Sequence, residues 1–169
     1  QELISLTGKT AIVTGGAQGI GGGITERLHE AGANVVVADM DEPTAIALAE
    51  KLNGDGGGRV TVMKCDVSKT EDVKAVVDRA IEQYGGVDIL VNNAGIFPFA
   101  PLADITDEMF DKVYAVNLRG SHNFVKLVVA HMRETGRKGR IVNVCSIDAL
   151  HPSGVGLAVY DASKHGLWG

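Results

Sequence analysis

A chain of 169 residues with 45% hydrophobic and 22% charged residues has the composition of a globular domain with a sizeable core, which argues against disorder. Its net charge of -5, with no basic cluster beyond the Arg133 to Arg140 stretch, argues against a nucleic-acid partner, and apolar runs such as Val35-Val36-Val37-Ala38 are far short of a membrane span. No charged-then-apolar leader opens the chain, so a cytoplasmic protein is expected, and Gln1 in place of a starting Met is expected to reflect missing or processed first residues.

The first predicted strand, Thr10 to Thr14, runs directly into Gly15-Gly16-Ala17-Gln18-Gly19-Ile20-Gly21, which opens a helix reaching Ala31. Glycines between a strand and a helix lie where a nucleotide pyrophosphate would meet the helix N-terminus. Gly15 permits the tight turn, Gly19 gives the main chain access to the phosphates, and Gly21 allows close packing of the helix. Gln18 and Ile20, carried on the same turn, join them as cofactor-binding candidates. The second strand, Asn34 to Ala38, leads to Asp39 and Met40, 24 positions after Gly15 for Asp39. A carboxylate there can accept hydrogen bonds from both hydroxyls of an adenosine ribose, with Met40 beside it. A 2'-phosphate would meet Asp39 as like charge, and the turn offers no Arg or Lys, so NAD is expected rather than NADP.

A helix over Thr44 to Leu52 and a glycine turn over Gly54 to Gly58 precede the third strand, Arg59 to Cys65. Asp66, which follows, could reach an adenine amino group, and Val67 could offer a backbone contact. Ser68 before Glu71 reads as the start of a helix ending at Tyr84, and the fourth strand, Asp88 to Asn92, delivers Asn93, Ala94 and Gly95 toward the adenosine ribose and the middle of the cofactor. A long helical stretch from Asp107 to Glu134, started at Thr106 and bent near Gly120, leads to the fifth strand, Arg140 to Ser146. Near-continuous apolar strands imply burial on both faces, hence an α/β fold with a parallel sheet between helices. The turns that hold the candidates all fall at carboxyl ends of strands, the side on which such sheets bind ligands. Cys65 and Cys145 read as packed thiols, and the five His residues lack metal-ligand spacing, so no metal is expected.

Tyr160 and Lys164 stand four residues apart and share one face of a helix. An ammonium beside a phenol stabilises the phenolate and suits the pair to acid–base work. Together with the turn from Thr14 to Gly21, Asp66, Asn92-Asn93-Ala94-Gly95, Asn117 in the long helix and Ser146 after the fifth strand, the sequence resembles the short-chain dehydrogenase/reductase family in its single-domain branch. The likeness runs over the whole chain. It implies a three-layer Rossmann fold, a doubly wound parallel sheet of order 3-2-1-4-5 with helices on both faces, forming one NAD(P)-binding domain over residues 1–169 that is incomplete at its C-terminus.

By the same resemblance Tyr160 is the general acid or base at the substrate oxygen, and Lys164 favours its ionised form and binds the nicotinamide-ribose hydroxyls. Ser146 holds the substrate oxygen, and Asn117 supports a water that links the lysine to solvent. The activity implied is NAD-dependent hydride transfer between a secondary alcohol or ketone and the nicotinamide, in a homo-oligomer, commonly a tetramer, built on the long helix and the one starting near Tyr160.

Two departures stand out. Thirteen residues, Ile147 to Val159, separate Ser146 from Tyr160, one more than is usual in the family, a difference a loop absorbs. Ser153 is nearer to Tyr160 but sits in a Pro/Gly loop and reads as a turn residue. The chain also stops at Gly169, one turn beyond Lys164, so a fragment is expected, with an open strand edge beside Arg140 to Cys145. Phe97-Pro98-Phe99 and Asp148-Ala149-Leu150-His151-Pro152 are expected to border the substrate, the aromatic rings packing apolar parts and Asp148 and His151 binding hydroxyls. Secondary alcohols, sugars, steroids and ketoacyl thioesters all remain open as substrates. The alternatives in function are a non-catalytic NAD-binding sensor or scaffold, or an inactive fragment.

Overall fold

The computed structural model describes residues 5–54 and 57–169, so the expectations on Gln1 and Gly56 fall outside the described residues. Five parallel strands form one sheet: β1 (Thr10–Thr14), β2 (Asn34–Asp39), β3 (Val60–Lys64), β4 (Ile89–Asn92) and β5 (Arg140–Asn143), in the order β3-β2-β1-β4-β5. The central strand β1 is buried throughout, with Ile12 level with Val36 on one side and Leu90 on the other.

Because successive strand residues face opposite ways, the apolar runs feed two cores. Ile12, Val36, Ala38 and Leu90 pack with Val73, Val76 and Ala80 of α3 (Thr70–Tyr84) and with Phe124 and Val128 of α5 (Ser121–Thr135). Ala11, Val13, Val35 and Val37 pack on the other face with Ala45, Ala49 and Leu52 of α2 (Glu42–Asn53) and with Ile24 and Leu28 of α1 (Gly19–Glu30). Helices therefore cover both faces, as the expected doubly wound Rossmann fold requires.

Element ends depart from the sequence reading for local reasons. Helix α2 starts two residues early, because the Asp41 carboxylate caps it by accepting from the Thr44 N–H at 3.2 Å and the Thr44 hydroxyl at 2.7 Å, with Pro43 in the first turn. Ser68 is no cap; its N–H and hydroxyl both donate to Asp66 Oδ1, at 3.0 and 2.6 Å. The long helix is α4 (Asp107–Tyr114), capped by Thr106 on the Met109 N–H, then a π-helical segment, Ala115–Gly120, and then α5. The bend anticipated at Gly120 is thus a change of helical register. Strand β5 stops at Asn143, three residues short of the expected Ser146, and α6 (Ala158–Trp168) begins before Tyr160. β5 forms an open edge among the described residues, with Val142 49% exposed. No helix among the described residues is long and apolar enough to cross a membrane.

Candidate active site

The turn after β1 is built around two close approaches. Gly15 sits at φ +60° and Gly19 at φ +57°, where an L side chain would be strained. A Cβ on Gly21 would stand 1.9 Å from the Gly15 carbonyl oxygen and 2.5 Å from Asn93 Nδ2, so only glycine lets α1 meet the turn. Asn93 Nδ2 donates to the carbonyls of Thr14 (3.0 Å) and Gly15 (2.9 Å), while the Thr14 hydroxyl accepts the N–H groups of Asn93 and Ala94, each at 3.0 Å. Gln18, Gly19 and Ile20 lie exposed at the start of α1, which has no side-chain cap and no acidic residue in its first turn, so its positive end is bare.

Gly15, Asp39, Met40, Asp66, Val67, Ala94 and Gly95 line one cleft of about 330 Å³ across the carboxyl ends of β1 to β4. Asp39 is aimed by two backbone donors, Ala17 N–H on Oδ2 at 2.9 Å and Asp41 N–H on Oδ1 at 3.0 Å. The Ser68 hydroxyl holds the Asp66 carboxyl below the usual range against the opposing effect of burial, helped by the Ser68 N–H and by Lys69 and Lys112. Lys112 of α4 closes the same cleft and drew no attention in the sequence, because its reach to β3 depends on the packing of α4.

At the nearer ends of β4 and β5 a second cluster is interlocked. Asn117, fully buried in the π-helical segment, accepts the Ile96 N–H (2.8 Å) and donates to the Ile96 carbonyl and to Ser163 Oγ, both at 2.9 Å. Ser163 in turn donates to the Tyr160 carbonyl at 2.7 Å. Lys164 Nζ donates to the Val144 carbonyl at 2.7 Å and lies 5.8 Å from the centre of the Tyr160 ring, against which the Phe97 ring packs in an edge-type contact at 6.1 Å. Burial pushes the Lys164 ammonium below the usual lysine range, with Cys145 pulling the other way. A Cβ on Gly95 would come within 3.5 Å of Asn117 Oδ1 and 3.6 Å of Lys164 Nζ, so the cleft and the cluster adjoin.

Ser146 lies two residues beyond the Val144 carbonyl that holds Lys164, and it caps the short 3-10 turn Ile147–Ala149. Ser153 gives both its N–H and its hydroxyl to Asp161 Oδ2, at 2.9 and 2.8 Å, which fastens its loop to α6. His151 is exposed, and Asp148 borders a cavity with Leu102, Pro152 and Val155. Cys65 and Cys145 are free thiols. Ser163, like Lys112, is a residue the sequence left unmarked. Its only signal was a hydroxyl next to Lys164, and its partner Asn117 is 46 residues away.

A parallel sheet of order 3-2-1-4-5 with a glycine turn between β1 and α1 is a Rossmann fold, and the Tyr–Lys pair stands on one helix at the same end of the sheet. The family model described as short chain dehydrogenase matches residues 9–169, and the chain belongs to that family. It is 39% identical over 165 residues to the 3beta-hydroxysteroid dehydrogenase 2 of Eggerthella lenta, covering 97% of this chain and 63% of that protein. It is 44% identical over 162 residues to a 4-formylbenzenesulfonate dehydrogenase of Comamonas testosteroni, covering 95% and 63%. Among solved structures, a short chain dehydrogenase/reductase from Burkholderia phymatum in complex with NAD superposes with a TM-score of 0.92 at 30% identity, over 98% of this chain and 58% of that one. The chain thus spans less than two thirds of the length of these relatives.

Proposed function

We propose that the protein is an NAD-dependent oxidoreductase that interconverts a secondary alcohol and its ketone, with Tyr160 as general acid/base. The support is the interlocked cluster of Asn117, Ser163, Tyr160 and Lys164 beside the cleft at the carboxyl end of the sheet. The glycine turn fits a dinucleotide, since Gly21 lets α1 pack tightly against the turn and the bare end of α1 suits a pyrophosphate. Gly15, Gln18, Gly19, Ile20 and Gly21 would hold the pyrophosphate, Asp39 with Met40 the adenosine ribose, and Asp66 with Val67 the adenine. Ala94 and Gly95 would lie along the middle, with Asn93 holding the turn from behind, and Tyr160 and Lys164 would meet the nicotinamide ribose. The Asp39 carboxylate repels a 2'-phosphate, which favours NAD over NADP.

NAD, when bound, supplies a hydride acceptor in its nicotinamide ring. The rest belongs to the chain. Tyr160, as phenolate beside the Lys164 ammonium, takes the hydroxyl proton of the alcohol. Ser146 donates to the substrate oxygen as charge develops on it. Asn117 fixes the π-helical segment next to Lys164, where a water can relay the proton to solvent. The same reading makes the protein a cytoplasmic homotetramer assembling through α4, α5 and α6, in line with the exposure of Phe110 (44%) and Trp168 (59%).

Tyr160→Phe removes the proton acceptor and leaves the ring. It is expected to lower kcat by about 10²–10⁴-fold while NAD affinity, measured by calorimetry, stays within a few-fold. Full turnover by the variant refutes the acid–base role, and NAD binding without turnover of any alcohol by the unmutated protein supports the sensor reading instead.

A further inference from the structure

Next to the proposed reacting groups stands a carboxylate with no part in that scheme. Asp148 reaches Ser146 twice: its N–H donates to Ser146 Oγ at 3.1 Å, and its Oδ2 accepts the Ser146 hydroxyl proton at 3.1 Å. A serine hydroxyl has one proton to give. With Asp148 holding it, Ser146 has none for a substrate oxygen, yet stabilising a developing alkoxide requires that donation. A substrate must therefore draw the proton away from Asp148, which leaves a half-buried carboxylate oxygen short of a donor.

A donor on the substrate repairs that loss, and the geometry says where it must be. Ser146 Oγ and Asp148 Oδ2 are one hydrogen-bond length apart, and so are the two oxygens of a vicinal diol in its gauche rotamer. One diol oxygen can receive the Ser146 proton while the other donates to Asp148, closing a ring of four oxygens. Among the neighbouring polar groups, Asp161 Oδ2 is held by Ser153 and the His165 ring pairs with the Ala149 carbonyl, whereas Asp161 Oδ1 is buried and has no hydrogen-bond partner among the described residues. Around Asp148 the cavity, about 640 Å³, carries apolar side chains such as Leu102 and Val155.

We infer that Asp148 is a specificity-determining residue, selecting secondary alcohols that carry a second hydroxyl on the adjacent carbon. The inference rests on the oxidoreductase reading above and names its substrate class. In the natural full-length protein with NAD, kcat/KM is to be compared for matched pairs, 2,3-butanediol against 2-butanol and 1,2-cyclohexanediol against cyclohexanol. The diol is expected to be preferred at least about tenfold, as for a site built to bind a substrate hydroxyl. Asp148→Ala is expected to lower kcat/KM for the diols about tenfold and to raise it for the mono-alcohols, because Ser146 regains its proton. Opposite movements of the two substrates cannot come from misfolding. As a readout independent of turnover, saturation-transfer NMR on the cofactor-free protein should detect diol binding that Asp148→Ala loses. Equal use of diol and mono-alcohol by the unmutated protein, or a proportional loss of both in the variant, overturns the selection and leaves the oxidoreductase reading standing. A protein that binds NAD but oxidises neither member of any pair overturns both.

Discussion

Asp39 illustrates how much one residue owes to its backbone. Spacing from the glycine turn was enough to single it out, but its aim comes from the Ala17 and Asp41 N–H groups, each holding one carboxylate oxygen. Under the proposed function the remaining lone pairs would take the ribose hydroxyls. Asp39→Ala is expected to weaken NAD at least about tenfold and to shrink the discrimination against NADP, as read from the Kd of each cofactor. Equal affinities for NAD and NADP in the unmutated protein would remove the reason for the choice. Ser163 shows the opposite case. A serine inside a helix is an ordinary surface filler, and only the folded chain brings the Asn117 amide to it.

At the scale of elements, strands were legible because unbroken apolar runs such as Ile89-Leu90-Val91 have few other homes. The π-helical segment was not. Its register is set by Asn117 bonding both backbone groups of Ile96, a contact between residues far apart in sequence, and periodicity within the helix carries no trace of it. The end of β5 was misjudged for a similar reason: the Val144 N–H still pairs with the Asn92 carbonyl at 2.8 Å, after which Ser146 turns the chain into a 3-10 helix. Gly120 ends the π-helical segment, where an added Cβ would lie 2.9 Å from the Val67 carbonyl oxygen. Gly120→Ala is therefore expected to destabilise the fold by about 1–3 kcal/mol in urea unfolding, since the helix must move off the turn after β3. An unchanged midpoint would mean that this packing is slack.

For the molecule as a whole, the two-sided core makes stability depend on pH through one thiol. Burial, followed by Asp72, Asp66 and Asp39, pushes Cys65 up from 9.0 to about 12. Between those values the unfolded chain releases the proton and the native protein keeps it, so stability falls as pH rises. Going from pH 8 to pH 10 should cost the unmutated protein on the order of 1 kcal/mol more than Cys65→Ala, measured by urea unfolding at each pH. Parallel slopes would contradict this. The clasp between Asn93 and the carbonyls of Thr14 and Gly15 also acts across the whole sheet, fastening the strand-end turns of its two halves to each other. A ligand bridging those halves meets a rigid seat, because folding has already surrendered the conformational entropy that a floppy turn would lose on binding.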